Sequence, residues 1–282
     1  MIGISRKQKL GLYIPLIILG IFSLLPFLIM VANSGKTDLE IATSLSLLPT
    51  GHLSENLATA TSLAPLYRGV LNSLFVATFA TVLNIYFSTM VAYGFSVYKF
   101  KHNKKLFLFV LLTMMIPGQL TFIGFYDMVK SMGLLNSYIP LILPGIASAG
   151  NVYFLKQYCD QIVAIDTIES ARIDGANEMM IYHKCILPIL TPAMSTMAIF
   201  TFIGNWNNYL VPLLILNDSN KYTLPVMLRY IAGMSSISSV SIANAQGAIY
   251  ASALVSVIPV IIIFVIFSKR IVGGLNAGSV KG

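Results

Sequence analysis

Residues 169–188 read E-S-A-R-I-D-G-A-N-E-M-M-I-Y-H-K-C-I-L-P. This charged segment lies between two long runs, 131–155 and 185–217, which contain no Asp, Glu, Lys or Arg. It combines acidic residues, a glycine and a closing Leu-Pro. Such a segment between two apolar runs indicates a polar loop that joins two buried or membrane-spanning elements.

Composition extends this interpretation to the whole chain. Apolar residues make up 56% of the 282 residues and charged residues only 10%, against about 25% charged in a soluble domain. Six runs without Asp, Glu, Lys or Arg each exceed the roughly 20 residues that a helix needs to cross the hydrocarbon core: 10–35, 69–98, 106–126, 131–155, 185–217 and 230–268. Backbone groups in that core must bond within the segment, so runs this long and apolar are helices. We predict an all-α polytopic membrane protein with six transmembrane helices, at about 10–32, 67–97, 106–127, 136–156, 188–216 and 246–268.

The domain organisation follows from these spans. We predict a single transmembrane domain over 1–282, with a peripheral first helix at 10–32 and a core at 66–268. The first outer loop, 33–66, is expected to be partly helical near 53–63. The remaining polar segments are an outer loop at 217–245, an inner loop at 158–187 and a C-terminal tail at 269–282.

Positive charges favour one side of the predicted membrane. With the N-terminus inside, 13 of the 18 Lys and Arg residues lie on the inner side, as the positive-inside rule requires. We therefore expect a multi-pass protein of the cell membrane with both termini in the cytoplasm. The topology also explains the net charge of +8 without nucleic acid. The inner set is Arg6, Lys7, Lys9, Lys99, Lys101, Lys104, Lys105, Lys156, Arg172, Lys184, Lys269, Arg270 and Lys281.

The inner loop has its own local pattern. Asp166 precedes Glu169 by three residues, which predicts a capping box at the start of a short helix. Gly175 predicts a sharp turn with positive φ. A second short helix would then present an apolar, Met-rich side that suits an adaptable docking surface or a helix lying on lipid headgroups. That side is formed by Ala176, Met179, Met180 and His183.

The same loop resembles the EAA loop of binding-protein-dependent ABC importers. That pattern is Glu-Ala-Ala, three residues, Gly, nine residues, Ile-x-Leu-Pro. Ser170 and Cys185 depart from it by small or apolar replacements. The residues in register are Glu169, Ala171, Gly175, Leu187 and Pro188. The resemblance implies that the loop forms a coupling helix that docks into a cleft on a separate ATPase subunit.

The resemblance covers roughly residues 66–282. Residues 198–216 resemble the fifth span of permeases in maltose and oligosaccharide importers, and residues 271–282 resemble the tail of the MalG-type subunit. Shorter matches are Asn72-Ser73, Ala92-Tyr93-Gly94 and Met115-Ile116-Pro117. Together they imply an ABC type I importer permease of the carbohydrate branch.

The family implies partners and residue roles. The chain would pair with a homologous second permease, two copies of an ABC ATPase and an extracellular solute-binding protein, and would move a sugar or oligosaccharide inward by ATP-driven alternating access. No cofactor is expected in this chain, since ATP and Mg would bind to the ATPase. The expected ATPase-coupling residues are Glu169, Ser170, Ala171, Asp174, Gly175, Ala176, Met179, Leu187 and Pro188. The tail residues expected to reach the ATPase dimer are Leu275, Gly278 and Val280.

A polar patch interrupts the fifth predicted span. It consists of Asn205, Trp206, Asn207, Asn208 and Tyr209. Polar groups at membrane depth usually face a bundle interior or a water-filled path. An indole beside amides also suits a sugar, with a flat apolar face for the ring and hydrogen bonds for the hydroxyls. The patch therefore lines a substrate path or holds helices together.

Two other functions compete with sugar import. One is an importer for another solute, such as glycerol phosphate. The other is a polytopic membrane enzyme, which needs acids, His or Cys clustered at one face. The sequence suggests no such catalytic cluster and no metal site, since His52, His102 and His183 are scattered over both sides of the predicted membrane.

Overall fold

The computed structural model describes residues 6–237 and 244–277, with side chains at 11–234 and 244–266. Every regular element in these residues is helical. The contacts divide the chain into two compact units, one of Met1–Tyr67 and Met227–Ile258, the other of Arg68–Val226 and Pro259–Gly282. The all-α prediction is confirmed.

The first unit begins with a long apolar helix, α1 (Arg6–Ser34). It has the length and hydropathy of a membrane span over Gly11–Ser34, and none of that span's most apolar window is buried. Its exposed side chains include Leu12, Phe22 and Leu24. A helix that exposes apolar groups all round suits contact with lipid.

Two short helices follow α1 in the same unit. Helix α2 (Asp38–Thr43) begins with a capping box, in which Thr37 and Glu40 bond to each other's backbone N–H groups. Helix α3 (Leu53–Leu63) confirms the helix expected near 53–63. Lys36, just before α2, is buried, and its ammonium group donates to the carbonyl of Ser46 in the segment between the two helices.

The second unit contains most of the remaining helices. Helix α4 (Leu66–Val97) begins at the boundary between the units and matches the second predicted span. It is followed by α5 (Asn103–Thr113), α6 (Phe122–Ser131), α7 (Ile139–Ile142) and α8 (Ala149–Ile162). The later helices are α9 (Ile165–Ile173), α10 (Glu178–Ile181), α11 (Leu187–Trp206) and α12 (Leu210–Ile215).

The third predicted span, 106–127, is not one straight helix. Helix α5 and the segment Gly118–Ser131 are bent by 85° with respect to each other. Pro117 adopts an extended conformation between them. A proline has no N–H for the helical ladder and disfavours helix in the residue before it, so the helix ends there. The described residues therefore contain five unbroken candidate spans, or six if this bent pair counts as one.

Two further boundaries differ from the predictions. The fifth span is shifted towards the N-terminus, because the apolar helical segment runs over Glu178–Trp206 and residues 207–209 separate it from α12. The segment 217–245, predicted as an outer loop, contains an unpredicted helix, α13 (Leu224–Ile237). Its Leu-Pro start suits a helix, since proline is favoured in the first turn.

The last helix, α14, runs over Ala245–Ala277 and so continues past the predicted end of the sixth span. Residues 269–277, predicted as part of the C-terminal tail, have a helical backbone. A helix satisfies its own backbone groups, so the ladder can propagate beyond the apolar run without a partner. Of the tail residues singled out above, the side chain of Leu275 and all of Gly278 and Val280 lie outside the described residues.

Candidate functional site

The predicted inner loop, 158–187, which we name the coupling loop after its expected role, contains two short helices around a glycine. Gly175 has a φ of +82° between α9 and α10, so the predicted sharp turn with positive φ is confirmed. The Gly175 and Ala176 N–H groups donate to the carbonyls of Arg172 and Ala171. These bonds satisfy carbonyls at the end of α9, as is usual where a glycine caps the C-terminus of a helix.

The predicted capping box at Asp166 is wrong. Helix α9 begins two residues earlier than predicted, with Ala164 rather than Asp166 as its N-cap, and no side chain caps it. Asp166 therefore lies inside the first turn, where its charge still complements the helix dipole. The cap that the structure does contain is Asn177, whose side chain accepts the Met180 N–H at the start of α10.

From α10 the chain enters the membrane helix without a break. Residues Tyr182–Ile186 form a π-helical turn that joins α10 to α11. Such turns are frequent at functional positions in helices. Leu187 and Pro188 occupy the first turn of α11, where proline costs no hydrogen bond. Helices α10 and α11 are therefore joined by continuous helical backbone.

One face of the coupling loop is buried against the membrane helices. Ile168 and Ile181 are almost fully buried, and Tyr182 packs beside them. Their core also contains Tyr93 of α4 and Leu190 of α11. Ala171, Ala176 and Leu187 pack against this core and are half-buried. These three predicted coupling residues thus anchor the loop.

The opposite face is exposed and partly apolar. Glu169, Ser170, Asp174, Gly175 and Pro188 are exposed. Four large apolar side chains of α9 and α10 are exposed beside them: Ile165 by 47%, Ile173 by 86%, Met179 by 54% and Met180 by 42%. Apolar groups beside charges on a supported surface can dock against another protein. Of the predicted apolar side, Met179, Met180 and His183 are exposed, whereas Ala176 packs against the core. Ile165 and Ile173 add to the exposed apolar groups.

An ionic and aromatic cluster, which we call the brace, ties this loop to α4. The Arg172 guanidinium donates from Nε to Glu178 Oε1 at 2.8 Å. The Tyr98 hydroxyl donates to Glu178 Oε2, and the Tyr93 hydroxyl lies 3.5 Å from the same oxygen. Arg172 also stacks over the Tyr98 ring, 5.8 Å from its centroid. The brace therefore joins both short helices to one end of α4.

A second contact joins the π-helical turn to α4. The Tyr182 hydroxyl donates to the Tyr86 carbonyl at 2.9 Å, and the Tyr86 hydroxyl lies 3.1 Å from His183 Nε2. Sequence reasoning missed both sets of tyrosines. The only local signal for the brace was that Arg172 and Glu178 lie on either side of Gly175. A turn at this glycine brings the two charged side chains together.

The five residues of the polar patch in the fifth span have different environments in the structure. Trp206 is 2% exposed and stacks on Phe202, with ring centroids 5.9 Å apart. Asn207 is exposed and ends α11, while Asn208 and Tyr209 are half-buried before α12. The side chain of Asn205 reaches α4, where its Nδ2 donates to Thr81 Oγ1 at 3.4 Å. Of the five, Asn205 alone lines a polar cavity of the described residues.

That polar cavity has a volume of about 400 Å³ and lies among α4, α8 and α11. Asn84 bonds to Gly145 through Nδ2 and accepts from Asn151 Nδ2 through Oδ1. Asn151 also donates to Thr201 Oγ1 at 2.8 Å. Within the described part of the chain, no donor bonds to Oδ1 of Asn151 or Asn205. The cavity lining is Ala80, Asn84, Leu141, Gly145, Ser148, Asn151, Phe200, Thr201 and Asn205.

Comparison with known proteins identifies a family that matches most of this chain. Residues 84–275 match the family described as binding-protein-dependent transport system inner membrane component. This range includes the coupling loop, the brace residues and the polar cavity apart from Ala80.

Individual relatives match over most of their length. The arabinooligosaccharides transport system permease protein AraQ of Bacillus subtilis (strain 168) is 35% identical over 216 residues, which cover 77% of this chain and 74% of that protein. The polygalacturonan/rhamnogalacturonan transport system permease protein YtcP of the same strain is 33% identical over 287 residues, 99% of each chain.

A solved structure shares the fold. It is a bacterial ABC transporter involved in the import of the acidic polysaccharide alginate, with a TM-score of 0.79 over 95% of this chain and 99% of that chain, at 23% identity. The predicted importer-permease fold is confirmed. The chain belongs to the family of binding-protein-dependent transport system inner membrane components, and it is a membrane-embedded permease subunit of an ABC importer rather than an enzyme.

Proposed function

We propose that this chain, with a second homologous permease, forms the path by which a sugar or oligosaccharide enters the cytoplasm. Two ABC ATPase subunits would dock on the coupling loop, and an extracellular binding protein would deliver the substrate. The observation that carries the proposal is the coupling loop itself: an apolar face exposed on one side and a braced, buried face on the other. Both termini would then lie in the cytoplasm.

The coupling loop supports a specific mechanism. ATP-driven closure of the ATPase dimer would draw two such loops together. The brace holds α9 and α10 on α4, and the π-helical turn joins α10 to α11. Movement of the loop would therefore carry both membrane helices with it, and the paired permeases would switch from inward-open to outward-open. No chemical step occurs in this chain.

The substrate class is inferred from two observations. The relatives AraQ and YtcP carry names of arabinooligosaccharide and polygalacturonan/rhamnogalacturonan transport. The polar cavity presents amides and hydroxyls, with free acceptor oxygens on Asn151 and Asn205, and its nine lining residues include no Lys or Arg. Neutral hydrogen-bonding groups suit sugar hydroxyls, whereas a glycerol phosphate site would be expected to hold cations.

Docking can be tested with a matched pair of surface variants. Ile173→Lys places a charge on the exposed face of the coupling loop, and Leu45→Lys makes the same change at another fully exposed position. After detergent extraction from cells that contain the native partners, the ATPase is expected to co-purify with Leu45→Lys and to be lost from Ile173→Lys. Retention of the ATPase by both variants would contradict docking through this face.

Transport can be tested through the polar cavity. In proteoliposomes, uptake of a labelled arabino-oligosaccharide is compared with uptake of an acidic galacturonide and of glycerol phosphate. Asn151→Leu is expected to reduce sugar uptake about tenfold while the ATPase stays bound, because it removes the free Oδ1 acceptor and also the Nδ2 that holds Asn84 and Thr201 in place. Each lost hydrogen bond costs about 0.5–1.5 kcal/mol. The exposed Asn207→Leu is the control. Preferred uptake of glycerol phosphate would reject the sugar assignment.

A further inference from the structure

Two cavities adjoin where α4 ends and α5 begins. The larger, which we call the lysine cavity, has a volume of about 590 Å³. The smaller, which we call the apolar groove, has a volume of about 360 Å³ and runs along the last turns of α4. The two share Phe95, Tyr98 and Phe100. They therefore form one continuous surface with a polar part and an apolar part.

The lysine cavity carries a concentrated positive charge. Four of its nine lining residues are lysines, and none is Asp or Glu: Phe95, Ser96, Tyr98, Lys99, Phe100, Lys101, Asn103, Lys104 and Lys105. The Asn103 amide donates to the Phe95 and Tyr98 carbonyls and holds the turn in shape. Four like charges on a short turn repel one another, so a bound anion would relieve that repulsion.

Neighbouring carboxylates are already engaged. Glu178 accepts bonds from Tyr98 and pairs with Arg172. Asp160 pairs with Lys156, at 2.6 Å between Oδ2 and Nζ. Among the described residues no ion pair joins the four cavity lysines to a carboxylate. The positive charge of the cavity is therefore available to a ligand.

The apolar groove supplies the second half of the surface. It is lined by Val91, Gly94, Phe95, Tyr98 and Phe100. Val91 and Phe100 are exposed by 36% and 44%. A Cβ added at Gly94 would meet nothing within 4 Å, so the missing side chain leaves the floor of the groove open. An extended hydrocarbon chain fits such a surface better than a polar ligand.

We infer that the two cavities together bind one anionic phospholipid, with its phosphate in the lysine cavity and an acyl chain in the apolar groove. Basic pockets at the cytoplasmic ends of membrane helices bind such headgroups. The groove distinguishes this ligand from a free phosphate, which has no apolar part. The inference uses the orientation proposed above, because the lysines must face the anionic inner leaflet.

The site also touches the brace. Tyr98 lines both cavities and donates its hydroxyl to Glu178 of the coupling loop. A lipid packed against the Tyr98 ring would restrict that side chain and so hold the brace together. Anionic lipid is therefore expected to raise substrate-stimulated ATP hydrolysis of the whole importer.

The first experiment measures lipid retention. The complete importer is placed in nanodiscs of phosphatidylglycerol mixed with phosphatidylcholine, released, and examined by native mass spectrometry for bound lipid. Lys101→Gln and Lys104→Gln are each expected to weaken phosphatidylglycerol retention about fivefold. Lys130→Gln, at an exposed position on α6, is the matched control and should retain it fully. Equal retention in all three variants would overturn the inference.

The second experiment separates a lipid from other occupants. Gly94→Leu fills the apolar groove without changing charge and suits the interior of a helix better than glycine. It is expected to reduce phosphatidylglycerol retention severalfold and to leave uptake in phosphatidylcholine alone unchanged. Displacement of the lipid by inorganic phosphate, with no effect of Gly94→Leu, would identify a free-anion site and reject the lipid. Loss of the ATPase from Lys101→Gln with lipid retained would identify a protein interface instead.

The two proposals can fail independently. If the importer takes up its sugar normally but retains no phosphatidylglycerol, the lipid site is wrong and the transport function stands. If lipid is retained while Ile173→Lys keeps its ATPase, the docking proposal is wrong and the lipid site stands.

Discussion

Asp38 caps a helix from a distant part of the chain. Its Oδ1 accepts the N–H groups of Gln246 and Gly247, each at 3.0 Å, at the start of α14. Only a side chain brought in by tertiary folding can do this, since the two segments are 208 and 209 residues apart.

Asp38→Ala is expected to lower the free energy of unfolding by about 1 kcal/mol, because it leaves N–H groups of α14 without an acceptor. Asp38→Asn keeps an Oδ1 acceptor and is the control. Both are measured by denaturant unfolding in detergent. Equal destabilisation by the two variants would show that charge, rather than the cap, matters.

His52 gives the first unit a pH-dependent contact. Its Nδ1 lies 2.8 Å from Glu55 Oε2, and this hydrogen bond raises the imidazole pKa above its ordinary value of 6.5. A raised pKa in the folded state means that the contact contributes its full stability below pH 6.5. That contribution is lost as the pH rises through the higher folded pKa.

Glu55→Gln should therefore lower the His52 pKa towards 6.5, as followed by NMR of the labelled imidazole. The start of α3 should become less pH-dependent in the same variant, since His52 precedes that helix directly. A native His52 pKa at or below 6.5 would disprove the contact.

At the scale of elements, the connection between α9 and α10 depends on one residue. Gly175 has a φ of +82°, in the left-handed region that costs other residues about 1–2 kcal/mol. The turn places Arg172 opposite Glu178 and so makes the brace possible.

Gly175→Ala is expected to destabilise the coupling loop by about 1–2 kcal/mol and to reduce coupled ATP hydrolysis. Gly124→Ala makes the same change within α6, where a Cβ meets nothing within 4 Å and alanine is the better helix former. Thermal unfolding and ATPase assays compare the two. A Gly175→Ala chain as stable and as active as Gly124→Ala would show that the turn tolerates side chains.

For the whole molecule, the testable property is its orientation in the membrane. The positive-inside rule places the turn at Lys101 in the cytoplasm and the loop at Leu45 outside. Leu45 is fully exposed, and the turn at Lys101 is also exposed, so both positions suit labelling.

In intact cells, a membrane-impermeant maleimide is expected to label Leu45→Cys and not Lys101→Cys. Both should react after the membrane is opened. The native Cys159 is buried and Cys185 half-buried, and both are expected inside, so they add little background. Labelling of Lys101→Cys in intact cells would reverse the proposed topology.

Much of the architecture was readable from local sequence. Uncharged runs located the membrane helices, because burial in lipid requires an apolar surface over a fixed length. Gly175 correctly predicted the turn, because few other residues adopt positive φ. Boundaries were less predictable: Pro117 broke a span that hydropathy treats as continuous, and the N-cap of α9 is Ala164 rather than the expected Asp166.

The sequence by itself therefore determined the fold class, the approximate positions of the spans and the place of the coupling loop between two of them, since each depends on neighbours along the chain. Tertiary structure alone decided the brace and the polar cavity. Tyr98 meets Glu178 across 80 residues, and Asn84 meets Asn151 across 67. An isolated Tyr or Asn in an apolar run indicates a buried polar group that needs a partner, but its partner is chosen by how the helices pack.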